Sequence, residues 1–417
     1  AFYWSAYARP TRNYKVTVAL RGPDGALWSP KTALPSRGYG DLPPSPAWGN
    51  GRYAIAGLDV EPLLGTPPGR YDLLLTAFDR ETLTPLDVLN QANQVAGPNL
   101  TVGQVTLTRP TQAPDLDTLP IQYRLDIAMG PLVLRGVNLD RAQAAPGDPI
   151  LITLFWHKPT DEPTPDLQAH LMLQDEQGRT VRAWDLPPVR ADWPTSQWPV
   201  GALWRGQHTL RLPASLTSGT YTWRLELYDP STQQIYKPQA ILGQIHIQAP
   251  ERNWHIPNLE LSMDATLACP RLPSDMVSGD KPSQESKRDD CMTLLGVSLQ
   301  PTTTATLQAP TTITVTLAWQ GQVEMHTSYR VFLHLLNPDG TLLTQSDGEP
   351  VNWTRPTTGW APGEVILDTR TLNIPAEVAP GSYALVIGMY DPDTHQRLAF
   401  DDGTTRALPI THITLQP

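Results

Sequence analysis

Alternation with a period of two runs through most of this chain. In the stretch 219–229, Tyr221, Trp223, Leu225 and Leu227 fall on one side while Thr222, Arg224 and Glu226 fall on the other. That is the signature of a strand with one face in a core. Tyr383, Leu385, Ile387 and Met389 repeat it. The runs ILITLFW (150–156) and ITVTLAW (313–319) read as strands ending in Trp. Strands also run into turns at NYKVTVALRGPDG (13–25), DLQAHLMLQDEQG (166–178) and SYRVFLHLLNPDG (328–340), where a closing Gly accepts φ > 0 without steric cost.

These stretches are copies of one unit. Each copy continues with Trp and, three residues on, Gly: Trp48-Gly51, Trp198-Gly201 and Trp360-Gly363. A Gly-x-Tyr follows, ending at Tyr71, Tyr221 and Tyr383, 23 residues after the Trp in every copy. A turn Asp (Asp79, Asp229, Asp391) stands 8 residues beyond each Tyr. Two constant intervals in three copies define a true repeat. The second and third copies also open alike, with Leu134-Arg135-Gly136-Val137 matching Leu294-Leu295-Gly296-Val297. A Tyr at the head of a strand, two residues after Gly, resembles the tyrosine corner of immunoglobulin-like and fibronectin-type sandwiches. The expected fold is therefore all-β: three tandem immunoglobulin-like (fibronectin-III-like) β-sandwich modules of about seven strands, at 1–110, 111–250 and 251–417.

Composition agrees. Proline, 44 of 417 residues, is about twice its usual share and excludes long helices, while Pro and Gly together stay below the ~25–30% of disordered chains. The net charge of −10, with no basic run longer than Lys287-Arg288, argues against a nucleic-acid partner. No apolar stretch approaches the ~20 residues of a membrane span. The only cysteines, Cys269 and Cys291, bracket a polar segment that cannot build a core of its own. They are expected to close an insertion in the third module as a disulfide, which implies an oxidising, extracellular or cell-surface location; two free thiols are the alternative.

The composite motif is Tyr-x-Val-x-Leu-His-Leu-Leu-x-x-Asp-Gly, then Trp-x-Pro-Gly-Glu, Pro-Gly-x-Tyr and Tyr-Asp-Pro-x-Thr. Most of it stands at 329–340, 360–364, 380–383 and 390–394. It resembles the β-sandwich repeats beside the membrane domain of large bacterial glycosyltransferase-like proteins of the lipid-linked-sugar type. The second copy lacks the His of His-Leu-Leu, and the first departs further. That family's catalytic carboxylates lie in membrane helices, so the resemblance implies a non-catalytic appendage of the cell envelope: a spacer, an assembly surface or a glycan contact. Its partners would be a glycan or a neighbouring envelope protein.

Motifs for a reaction are absent: no His-Glu-x-x-His, Gly-x-Ser-x-Gly, Cys-x-x-Cys or P-loop. No cofactor is expected, since Gly49-x-Gly51-x-x-Ala54 falls on the repeated turn and opens no helix. His157, His170, His208, His246 and His334 show no metal-ligand spacing, and no metal is expected. Asp391-Pro-Asp393-Thr394 reads as a hairpin turn, because the other copies keep only its Asp and Thr. An acidic pair between modules, as in a carbohydrate-active enzyme, remains the enzymatic alternative. Trp48, Trp198, Trp360, Trp156, Trp223 and Trp319 are expected as core residues or loop plugs. Trp184, Trp193 and Trp204 occur only in the second copy and are the candidates for stacking on a sugar. Asn99 and Asn352 head glycosylation sequons.

One alignment concerns the first module. Tyr14 lies 10 residues after Trp4, as Tyr329 does after Trp319. Two strands precede that Trp in the other copies, so the first module is expected to lack its N-terminal strands. Either a longer chain supplies them or a neighbouring molecule adds a strand, giving a filament that self-assembles through module 1.

Overall fold

The computed structural model describes residues 2–30, 34–35, 45–47, 53–91, 93, 95–110, 116–268, 290–302 and 306–416. The first copy holds β1 (Phe2–Ser5), β2 (Tyr14–Arg21), β3 (Leu34–Pro35), β4 (Tyr53–Ala56), β5 (Leu58–Asp59), β6 (Gly69–Asp79) and β7 (Leu100–Leu107). Strands β2, β6 and β7 form one sheet in that order, β1 pairs β4, and β3 pairs β5.

The second copy holds β8 (Tyr123–Met129), β9 (Leu132–Leu139), β10 (Gln143–Ala144), β11 (Pro149–His157), β12 (Gln168–Gln174), β13 (Thr180–Leu186), β14 (Leu203–Arg211), β15 (Gly219–Asp229) and β16 (Gln234–Ile247). Its sheets run β14-β11-β9-β8 and β10-β16-β15-β12-β13. The third copy holds β17 (Leu261–Ala268), β18 (Asp290–Gln300), β19 (Leu307–Gln308), β20 (Thr311–Gly321), β21 (Arg330–Leu336), β22 (Leu342–Gly348), β23 (Val365–Ile374), β24 (Gly381–Tyr390) and β25 (Leu408–Gln416). Its sheets, β17-β18-β20-β23 and β19-β25-β24-β21-β22, repeat that order strand for strand.

This is the immunoglobulin/fibronectin-III-like sandwich, with nine strands where seven were expected. The additions are an edge strand, β8 or β17, and a two-residue strand, β10 or β19, running parallel to the last strand. Alternation places the inward residues as the sequence pattern requires: Tyr221, Trp223, Leu225 and Leu227 are buried, as are Tyr383, Leu385, Ile387 and Met389. Trp156, Trp223, Trp319 and Trp360 are fully enclosed.

The alignment of Trp4 with Trp319 agrees with strand register. Trp4 pairs across to Ala54 and Trp319 to Ile366, and each partner lies six residues after a repeated Trp. Among the described residues, β1 has no neighbour other than β4, whereas β11 and β20 each have two.

By packing, the chain forms two compact units. One comprises 1–140, 150–210 and 222–244; the other comprises 141–149, 211–221 and 245–417. Loop segments of the middle sandwich thus belong with the second unit, and the buried core of that unit is built on Trp319, Trp360 and Tyr383. No helix among the described residues is long and apolar enough to cross a membrane.

Candidate functional site: a repeated loop frame and the contacts it carries

Three devices recur in the copies, and each follows from local chemistry. The tyrosine corner is one. Tyr71, Tyr221 and Tyr383 donate their hydroxyls to the carbonyl four residues upstream, of Pro67 (2.6 Å), Thr217 (3.1 Å) and Ala379 (2.7 Å). The turn aspartates are another. Oδ1 of Asp79, Asp229 and Asp391 accepts the backbone N–H two residues on, at 2.8 Å in every copy. These N–H contacts hold the carboxyl of Asp79 below the usual carboxylate range, and the Ser231 hydroxyl does so first for Asp229. No group of three or more His, Cys, Asp or Glu suited to a metal occurs among the described residues.

The third device is a buried hydroxyl. Ser45, Thr195 and Thr357 each stand three residues before the repeated Trp and directly after a Pro, in PSPAW, PTSQW and PTTGW. The hydroxyls of Ser45 and Thr357 donate to the carbonyls of Arg12 (2.7 Å) and Thr327 (2.8 Å), and that of Thr195 donates to Pro165. Each also accepts the N–H two residues further on, of Tyr14 (2.8 Å), Leu167 (2.8 Å) and Tyr329 (3.0 Å). One buried hydroxyl thereby satisfies both backbone groups at the entry to β2, β12 or β21, groups that would be costly to leave unpaired. The indole N–H of Trp198 and of Trp360 then donates to the carbonyl five residues upstream, Trp193 and Arg355, both at 3.0 Å. Trp48 lies outside the described residues.

Between the strand that ends at Leu186 or Gly348 and this Pro-Ser/Thr-x-x-Trp turn lies a seven-residue loop, 187–193 or 349–355. In the first unit, loop 187–193 grips the first module's tyrosine corner. Arg190, 3% exposed, donates from Nη1 to the Tyr71 hydroxyl at 2.6 Å and from Nη2 to the Pro68 carbonyl at 3.1 Å. Its Nε pairs with Asp192, and its guanidinium lies 4.9 Å from the Tyr71 ring centroid and 5.7 Å from that of Trp28. Gly69 has φ 145°, and a Cβ there would collide with Nη2 of Arg190. Burial raises the Tyr71 phenol, keeping it a neutral donor to Pro67. Beside it, Arg205 donates its N–H to Gly65 O (2.8 Å) and its Nε to Leu64 O (2.9 Å), and Gln207 donates to Leu27 O (2.9 Å). Burial pushes Arg205 down to about 10, still charged at neutral pH.

In the second unit the clamp is ionic. Glu364, 0% exposed, takes Arg252 Nη1 and Arg355 Nη2 at 2.5 Å each, plus the N–H of Ala361 at 2.9 Å. Arg252 also donates to the Ala214 carbonyl, and Glu324 accepts the Ala214 N–H at 3.0 Å. Arg211 donates to Gly147 O at 2.7 Å, and Gly147 (φ 81°) lies so close to the Thr358–Gly359 backbone that a Cβ would not fit. The four buried carboxylates among the described residues are all engaged: Asp79 and Asp229 in turns, Glu364 with two arginines, Asp368 with Arg370.

The sugar-stacking candidates do not form a surface. Trp193 (9% exposed) and Trp204 (2%) are buried against each other, edge to face with centroids 5.5 Å apart. Trp184 is half-buried, its ring 5.6 Å from core Trp223. A loop dense in Trp is here a packed one. Asn99 is exposed and its Oδ1 accepts the Thr76 hydroxyl at 2.6 Å; Asn352 is exposed in loop 349–355. Cys269 lies outside the described residues and Cys291 sits in β18, so the expected disulfide falls outside what is described. His170 and His334 contact Asp185 (2.6 Å) and Asp347 (3.2 Å), while His157 contacts the Ala202 carbonyl.

The hydroxyl trio went unread in the sequence although it has a signal there, since aligning the copies on Trp brings Pro-Ser/Thr-x-x-Trp into register. Glu364 closes the Trp-x-Pro-Gly-Glu motif, but its pairing with two arginines has no sequence signal, and Arg190 occurs in one copy and carries none.

No family model and no curated protein matches the chain. Among solved structures, the FN1-FN3 domains of chicken CNTN1 align over 97% of this chain and 96% of that chain, at 7% identity and a TM-score of 0.20. At those values the likeness carries no argument, and the fold rests on strand order and register.

Proposed function

We propose that the chain is a non-catalytic spacer of an extracytoplasmic protein, in which sandwiches are clamped to their neighbours instead of hinged. The observation that carries this reading is the burial of Arg190 against the Tyr71 corner. Neighbouring domains in one chain move freely unless the contact between them is extensive and ordered. A guanidinium shared among a phenol, a carbonyl, a carboxylate and two rings leaves few alternative poses. Truncating it would strand the Pro68 carbonyl and expose Trp28.

Placement on a bacterial envelope, beside a glycosyltransferase-like membrane domain and in contact with a glycan or an envelope protein, rests on the motif resemblance at 329–340 and 360–394. Spin labels on the first and second sandwiches of the whole chain test the clamp. A narrow distance distribution is expected, broadening in Arg190→Ala together with a lower melting temperature of the first unit. A distribution already broad in the native chain would make the contact a hinge and end the reading. Hydrolase or transferase activity of the purified chain would also end it.

The β1–β4 ribbon favours a second reading, in which a strand of another polypeptide adds beside β1. Concentration-dependent association, abolished by Tyr3→Pro, is its expected mark; a monomer at all concentrations rejects it.

A further inference from the structure

Loop 349–355 carries three consecutive residues in the left-handed region: Val351 (φ 53°, ψ 49°), Asn352 (φ 51°, ψ 52°) and Trp353 (φ 68°). A β-branched residue there is a genuine outlier. Such strain persists only where the surroundings over-determine it, and it gathers at ligand sites. The surroundings here are unusually firm. Asp368, 0% exposed, accepts the Val351 N–H at 2.8 Å. It also holds Arg370, which donates to the carbonyls of Ser346 (3.1 Å), Gly348 (2.9 Å) and Glu349 (3.2 Å). Thr354 donates its hydroxyl to Val351 O at 2.6 Å, and Ser328 donates to Glu349 at 3.0 Å.

This scaffold presents Trp353, 53% exposed and absent from the core of the module. Its indole rests on Gly348, where a Cβ would sit 3.1 Å from the ring, and the Arg330 guanidinium lies 5.0 Å from its centroid. Exposed Asn352 stands beside it in the turn. The other large apolar side chains exposed in 328–370 are Leu342, at the far end of β22, and Leu367, on the face of β23 opposite Asp368. One indole among polar groups is far less than the ~800 Å² per partner of a stable protein interface. It does match the apolar face of a single pyranose ring, whose rim hydroxyls need amide and carboxylate partners.

We propose that the Trp353 turn is a carbohydrate-binding platform, on which an uncharged sugar ring of an oligosaccharide stacks while Asn352 and Glu349 meet its hydroxyls. This goes beyond the spacer reading and does not depend on it. The test uses the whole chain with three probes, maltohexaose, cellohexaose and chitohexaose, by saturation-transfer NMR and calorimetry. At least one is expected to bind, with affinity about tenfold or more lower in Trp353→Ala, partly kept in Trp353→Phe, and with an unchanged melting temperature in both. Failure of all three sugars to bind, or binding indifferent to Trp353→Ala, overturns the proposal. Self-association of the native chain that Trp353→Ala abolishes would also overturn it and assign the turn to protein pairing.

Discussion

Loops 187–193 and 349–355 occupy one position in two copies of the same sandwich, yet the residues in their middles differ in exposure: Arg190 is buried and Trp353 exposed. Both leave a strand at an equivalent residue, Leu186 or Gly348, and both enter a Pro-Thr-x-x-Trp turn closed by the same hydroxyl and indole contacts. In the second copy, buried His208 lies under the loop, its Nε2 3.4 Å from the Pro188 carbonyl, and Arg190 reaches the first module. In the third copy the equivalent of His208 is Arg370, which with Asp368 props a left-handed turn and leaves Trp353 exposed. A frame anchored at both ends lets some of the residues between turn away from the core, although Trp193 and Val351 still pack into it. The two loops can then specialise, one toward an intramolecular clamp and the other toward display.

The sharpest way to break this contrast is to truncate an indole in each loop. Trp193→Ala should destabilise the first unit by about 3–5 kcal/mol in denaturant unfolding, as for a buried aromatic, while Trp353→Ala should leave stability unchanged. Equal losses would show that both loops serve the core.

The two supports should also answer differently to acid. Burial pushes His208 from its ordinary 6.5 down to about 4. The unfolded chain therefore takes up a proton that the folded chain refuses. Stability is full above pH 6.5 and falls toward pH 4, by about 3 kcal/mol at the low end. The third module, with Arg370 in that place, lacks this loss. Unfolding midpoints measured from pH 7.5 to 4.5 check it, His208's share being the part that vanishes in His208→Gln.

The shared frame should respond alike in both copies. Thr195→Val and Thr357→Val each leave a strand-entry N–H and C=O without a partner and should cost about 1–3 kcal/mol. Markedly unequal costs would mean that the frame is not common. Last, Val351→Gly should stabilise the third module by about 1 kcal/mol, since Gly adopts φ 53° without strain. A loss there would show that the Val351 side chain is needed where it is, packed against the core.

Much of the architecture was legible because it rests on spacing. A tyrosine corner and an Asx turn at either end of one strand fix the interval of 8 from Tyr to Asp, and the pleat fixes the alternation between them. The hydroxyl at 45, 195 and 357 was hidden by its chemistry, since Ser and Thr are common in turns and mean little until copies are aligned. Trp193 and Trp204 misled for a related reason: an indole is as suited to a packed loop as to a binding face, and sequence density does not separate the two. Arg190 and Trp353 depend on which surface lies opposite, a property of three-dimensional placement that no local pattern encodes.

The Pro-Ser/Thr-x-x-Trp closure also bears on how such a chain can diverge over generations. Within the closure, a hydroxyl, an indole and two backbone groups must meet at fixed covalent distances, so an insertion or deletion from 194 to 198 or from 356 to 360 would undo several contacts at once. In the seven residues upstream, Trp193 and Val351 still pack inward, while Asn352 and Trp353 are exposed, and selection can act on those through contact alone. Descendants and relatives of this chain are therefore expected to keep the closure nearly letter for letter while the exposed positions of 187–193 and 349–355 drift, much as a type-holder keeps its shape while the letters in it are changed.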